Sequence, residues 1–188
     1  MRGKSHQQLG LRLAREYLIH APTGAVRLFL IGCVQPDKNP ATYLKGSLRE
    51  LWLRGHHWPN SRRYIQKLIS RLERRRTLRP FDYYSLGKLV HYIVDAFTYP
   101  HNPHFPGSLA DHRQYEVMLQ HRFLHLLKVW VFPAERDHLD PAATICALHR
   151  RYAARPSDPE RDCRYCLRAC CVVMSALLLP AQKMSFSG

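Results

Sequence analysis

His91 and Asp95 stand four residues apart, and so do His112 and Glu116. On a helix this spacing places both side chains of a pair on one face, a turn apart, where they can reach one cation together. Val90, Ile93 and Val94 give the first pair apolar neighbours. An imidazole and a carboxylate in such surroundings need partners, and a divalent ion supplies one. A hydrogen-bonded buried pair without metal is the other reading, and with twelve histidines some chance pairing with acids is expected. Two His-x-x-x-acid pairs in succession, with His101 in the loop between them, favour the metal, because facing helices of a bundle carry such ligands inward. Zinc suits this donor set.

The elements that must position these residues read as helices. Nine glycines and little Val/Thr alternation argue against a mainly β chain. The expectation is an all-α, compact multi-helix bundle in a single domain, 1–188, with about seven helices. The first runs from Gln7 to Ile19 with Ser5 as its N-cap. Ala25 to Cys33 reads as a short helix or a buried strand, and Pro36 to Pro40 as loop, since both prolines oppose helix. After an irregular Arg54 to Pro59, Ser61 starts a helix with its stripe on Tyr64, Ile65, Leu68, Ile69 and Leu72. Pro80 opens the next, which is apolar on nearly all sides as far as Phe97 and is therefore expected at the centre. Prolines break the chain between Tyr99 and Pro106. Helical patterns follow from Leu109 toward Trp130, from Pro141 to Tyr152 and from Asp158 to Leu179.

Lys and Arg outnumber Asp and Glu 29 to 14, a formal charge of +15. Such a surplus suits nucleic acid, acidic lipid headgroups or phosphate esters, or is simply a solvated basic surface. The apolar runs Ala25 to Val34 and Cys170 to Pro180 are too short to span a bilayer, and neither reads as a targeting segment. A cytoplasmic location is expected, with peripheral contact to an anionic membrane surface as an option. Six cysteines would there remain thiols. Cys163, Cys166, Cys170 and Cys171 share one helix face. Because one straight helix spreads them too far to close a tetrahedron, a thiol-lined core is favoured over a structural zinc. His121 and His125 read as packing or surface groups. Trp52, Trp58 and Tyr99 are candidates for a cleft or for the core.

Gly87-x-x-x-His91-x-x-x-Asp95, then Tyr99-Pro100-His101, then His112-x-x-x-Glu116 resembles, in order, the motifs of the zinc-dependent phospholipase C family, which is related to the P1-type nucleases. The resemblance spans about residues 5 to 116. Upstream, Ser5-His6 looks like the family's N-terminal Ser-His ligand, Asp37 in Gln35-Pro36-Asp37 like its loop aspartate, and His56 or His57 like the histidine that follows, with His56 favoured. The resemblance implies two to three zinc ions: the first on Asp37, His56, His91 and Asp95, the second on His101, His112 and Glu116, and the third on His6 with Asp95 bridging. In secreted members a processed N-terminal Trp also serves the third ion, whereas this sequence has Met1 there. The implied activity is hydrolysis of a phosphodiester by metal-activated water, most simply on the glycerol-phosphate side of a phospholipid headgroup. Asp37 is primarily a ligand there and could also orient the water. A P1-like nuclease acting on single-stranded nucleic acid and a non-catalytic metal-binding scaffold are the alternatives.

Overall fold

Prolines and short polar residues mark where the helices begin. The computed structural model describes residues 1–39, 56–133 and 140–179. Among these are seven α-helices, a 3-10 turn and no strand: α1 Gly3–Tyr17, α2 Thr23–Lys38, α3 Trp58–Glu73, α4 Pro80–Ala96, the turn Tyr99–His101, α5 Leu109–Val129, α6 Pro141–Ala153 and α7 Pro159–Leu178. The all-α class is therefore as expected. Pro80, Pro141 and Pro159 each occupy the first helical position, where a missing N–H leaves nothing unpaired. Asp140 and Asp158 accept from the backbones of Ala143 and Arg161, and Ser108 with Asp111 forms a reciprocal capping box at the start of α5.

α4 is the central helix. It buries every residue from Leu89 to Ala96 and packs against α2, α3 and α7, with α1 touching it as well. The contact with α2 is made backbone to backbone. A Cβ on Gly32 would lie 2.3 Å from the Tyr84 carbonyl oxygen, and one on Gly87 would lie 2.1 Å from that of Phe29. Only glycine permits this approach at either position.

The same contact explains a departure from the sequence expectation. The segment Ala25 to Cys33 is helix rather than strand, and that helix runs through Pro36 to Lys38 instead of giving way to a loop. Pro36 cannot donate to the carbonyl four residues earlier, and that residue is Gly32. Packing on α4 holds the turn in place regardless, so Asp37 projects from the last turn of a helix. Two further boundaries shift. Ser5 lies inside α1, whose N-cap is Arg2, and α3 begins at Trp58 rather than Ser61. Cys163, Cys166, Cys170 and Cys171 are all buried free thiols, as a thiol-lined core requires. No helix among the described residues is long and apolar enough to cross a membrane.

Gly87→Ala is expected to lower stability by about 3 kcal/mol, the upper end of an overpacking cost. Urea unfolding checks this. A loss below about 0.5 kcal/mol would mean that α2 and α4 are not held this closely.

Candidate metal centre

Asp95 lies at the meeting point of several chain segments and is 1% exposed. His56 Nδ1 donates to its Oδ2 at 2.7 Å. His91 Nε2 lies 3.2 Å from the same oxygen. Its other oxygen faces the Met1 α-amine at 2.9 Å, His6 Nε2 at 3.3 Å and His101 Nδ1 at 3.5 Å. Burial alone would raise this carboxyl's pKa. The charged Met1 amine beside it is the leading cause that holds it well below the usual range.

Asp37 joins from the end of α2, with Oδ1 at 3.5 Å from His91 Nε2 and 4.0 Å from His56 Nδ1. The orientation of His91 is set from behind. Its Nδ1 donates to the Cys33 carbonyl at 2.9 Å, which turns Nε2 toward Asp95, Asp37 and His56 Nδ1, the last at 3.2 Å. His6 stacks on His91 with ring centroids 4.0 Å apart. Neither ring nitrogen of His6, nor His101 Nδ1, has a hydrogen-bond partner among the described residues, although all three are buried. Burial and His91 push the His6 pKa down, and burial and the Met1 amine push that of His101 down further, so both rings are neutral donors. Buried, neutral, unpaired imidazole nitrogens beside carboxylates fit a metal ion.

The donors fall into two sets. One atom each from His6, Asp37, His91 and Asp95 lies within 4.8 Å of the others, and the same holds for His101, His112 and Glu116. In the second set Glu116 Oε1 is 3.2 Å from His112 Nε2 and 3.9 Å from His101 Nε2. The Met1 amine links the sets, lying 2.9 Å from both Asp95 and Glu116. Burial lowers its pKa, but the two carboxylates outweigh this and raise it to about 11. Of the two adjacent histidines, His56 reaches Asp95, whereas the His57 ring lies 5.6 Å from that of His101 and lines a neighbouring cavity. Trp58 stacks on His149, and Tyr99 packs against Phe105 and Tyr115. Trp52 lies outside the described residues.

Three residues that the sequence did not single out hold the turn bearing His101. Asn102 Nδ2 donates to the carbonyls of Ala96 and Thr98. His149 Nε2 donates to the Ala96 carbonyl and to Asn102 Oδ1. Together they satisfy carbonyls exposed at the end of α4. Asp162, on α7, accepts from the Tyr99 backbone and from the hydroxyls of Tyr115, Tyr152 and Ser157. It thereby ties the turn to α5 one residue before Glu116. In the sequence Asp162 resembles an ordinary acid in the first turn of a helix, and His149 has no acid at ligand spacing.

These two groups titrate with opposite consequences. Burial lowers the pKa of His149 to about 4, so its contribution is complete above the ordinary histidine value and lost as pH falls from 6.5 toward 4. Burial raises that of Asp162 to about 6 against its four hydrogen bonds, so the folded state takes up a proton there and its contribution declines as pH rises from 3.8 to 6. Relative to the parent, His149→Gln should flatten the acid loss of stability by about 3 kcal/mol, and Asp162→Asn should steepen it by a similar amount. Urea unfolding across this range measures both. Equal pH profiles for parent and variants would refute the assignment.

No curated protein and no solved structure matches the chain. The family model described as zinc-dependent phospholipase C matches residues 6–166, from the first buried histidine of the centre to α7. The chain belongs to the zinc-dependent phospholipase C family.

Proposed function

We propose that the chain hydrolyses phospholipids on the glycerol-phosphate side of the headgroup at this centre. The observation that carries the reading is the pair of donor sets, His6-Asp37-His91-Asp95 and His101-His112-Glu116, joined through Asp95 and opening onto a cavity of about 300 Å³. His56 completes the first set through its contacts with Asp95 and Asp37. Two to three zinc ions fit these donors.

Bound zinc would acidify a water and stabilise charge on the phosphoryl oxygens. The protein's part is orientation. Asp37, the more accessible carboxylate of its set, accepts a hydrogen bond from the attacking water and aligns it with phosphorus. His91, locked by the Cys33 carbonyl, and His56, held by Asp95, keep the donors from reorganising as charge develops. Water adds to phosphorus, the bond to the glycerol oxygen breaks and that oxygen leaves with a proton. The products are a diacylglycerol and a phosphorylated headgroup.

A lipid is favoured over single-stranded nucleic acid by a groove between α1 and α2. It is lined by Leu11, Leu30, Ile31 and Val34 and reaches Gly3 and Asp37, which also line the metal cavity. Aliphatic walls of this kind suit an acyl chain, whereas unpaired bases are usually held on aromatic platforms.

Protein prepared without chelator should carry about two to three zinc ions per chain, a complement that closes both donor sets. It should release a phosphorylated headgroup from short-chain phospholipid. His91→Ala should lower the rate about 100-fold or more and lose zinc. Less than about one zinc per chain would rule out the centre. Full zinc without turnover of any diester would favour the scaffold reading, and faster cleavage of single-stranded DNA would favour a nuclease.

A further inference from the structure

The metal cavity has a cationic wall that the metal donors do not account for. Arg2, at the N-cap of α1, and Arg113, on α5 between His112 and Glu116, both line it. Both are exposed. Some basic residues elsewhere are engaged by acids, as Arg12 is by Glu16, Arg71 and Arg75 by Asp82 and Arg164 by Glu160. Arg2 and Arg113 make no ion pair among the described residues. The acids that share their cavity are Asp37 and Glu116, and both belong to the donor sets.

A neighbouring cavity differs. It has a volume of about 320 Å³ and shares His56, His101, His112 and Leu109 with the first, and Phe105, Pro100 and Pro103 contribute apolar walls to it alone. A phosphodiester seated over the metals therefore has one apolar flank and one flank bearing two guanidinium groups. With the two carboxylates that line the cavity among the described residues engaged by metal, no further anion among those residues remains to receive a quaternary ammonium. Among the described residues lining it there is also no aromatic ring besides histidines to form a cage for one. An anion on the departing headgroup would instead meet two planar donors suited to carboxylate or phosphate.

Building on the phospholipase reading, we propose that Arg2 and Arg113 are specificity-determining residues. They select phospholipids whose headgroup carries a further anionic group, a phosphate or a carboxylate, over those with a choline headgroup. The long-range field of the basic chain draws such a substrate in, and these two side chains decide which headgroup fits.

The zinc-loaded protein is to be assayed on short-chain phospholipids bearing choline, serine or inositol-phosphate headgroups, and on a dinucleotide. The anionic headgroups should be hydrolysed with kcat/KM about tenfold or more above choline, in line with one or two charge-assisted contacts. The inositol-phosphate and serine arms separate phosphate from carboxylate recognition. Arg2→Gln and Arg113→Gln should each reduce the preference about tenfold with zinc content unchanged. Arg113→Lys should restore part of the loss, and added salt should weaken the preference. A readout independent of turnover is calorimetric binding of glycerophosphoinositol phosphate against glycerophosphocholine, which should show the same order and the same loss in the variants. Equal hydrolysis of choline and anionic lipids, an unchanged preference in the double variant, or preferential cleavage of the dinucleotide would overturn the proposal. Failure of the zinc-loaded protein on every diester would instead overturn the phospholipase reading, and equal binding of the two soluble headgroups would then overturn this one separately.

Discussion

A carboxylate as deeply buried as that of Asp95 is affordable only when positive charge or donated hydrogen surrounds it. The chain meets this demand with groups drawn from widely separated positions: the Met1 amine, His6 from α1, His56 before α3, His91 from α4 itself and His101 beyond it. Removing the cations from such a site would leave a penalty of several kcal/mol. Two of these partners, His6 and His101, are neutral imidazoles, since burial disfavours their charged forms. Protein alone thus satisfies Asp95 chiefly through an amine and one short His56 contact, while both ring nitrogens of His6 and Nδ1 of His101 are buried without a hydrogen-bond partner among the described residues. The arrangement is consistent with a site organised around divalent ions rather than around hydrogen bonds.

That convergence depends on how closely two helices approach. Gly32 and Gly87 let the backbones of α2 and α4 touch, and this puts the Cys33 carbonyl within reach of His91 Nδ1 and Asp37 within reach of its Nε2. A larger residue at either glycine would move the two ends of one imidazole away from their partners together. On the other side, Asn102, His149 and Asp162 fix the short turn that delivers His101, and the Tyr115 hydroxyl links the same carboxylate to the helix bearing Glu116. The two donor sets are therefore mounted on separate supports and meet at Asp95.

Local spacing is what made much of this legible in the sequence. His91 with Asp95 and His112 with Glu116 are pairs within one helix, and helical periodicity alone brings each together. The apolar character of α4 on all sides announced its central place. His6, Asp37 and His56 were visible only through resemblance, because their distances to Asp95 are created by tertiary packing. Pro36 normally ends a helix, so local rules read Asp37 as loop; they describe local cost, and the α2–α4 contact outweighs it. Asp162 and His149 escaped notice for a related reason. Their partners lie on other elements, 63 residues away for the Tyr99 backbone and 53 for the Ala96 carbonyl, so no local pattern marks them.

A net charge of +15 is a property of the whole chain and says only that anions are favoured. What distinguishes one basic residue from another is where it stands and which acids stand with it. Arg71 and Arg75 share Asp82 at the start of α4, where their charge serves the helix junction. Arg2 and Arg113 stand beside carboxylates too, but those carboxylates face the centre, and a metal bound there competes for them with far greater charge density. Filling the donor sets would thus offset the charge of those acids and leave the two guanidinium groups facing an increasingly positive cavity. Metal occupancy and the electrostatic character of the substrate site are consequently coupled: the same ions that would activate water also make the cationic wall available to an anionic headgroup.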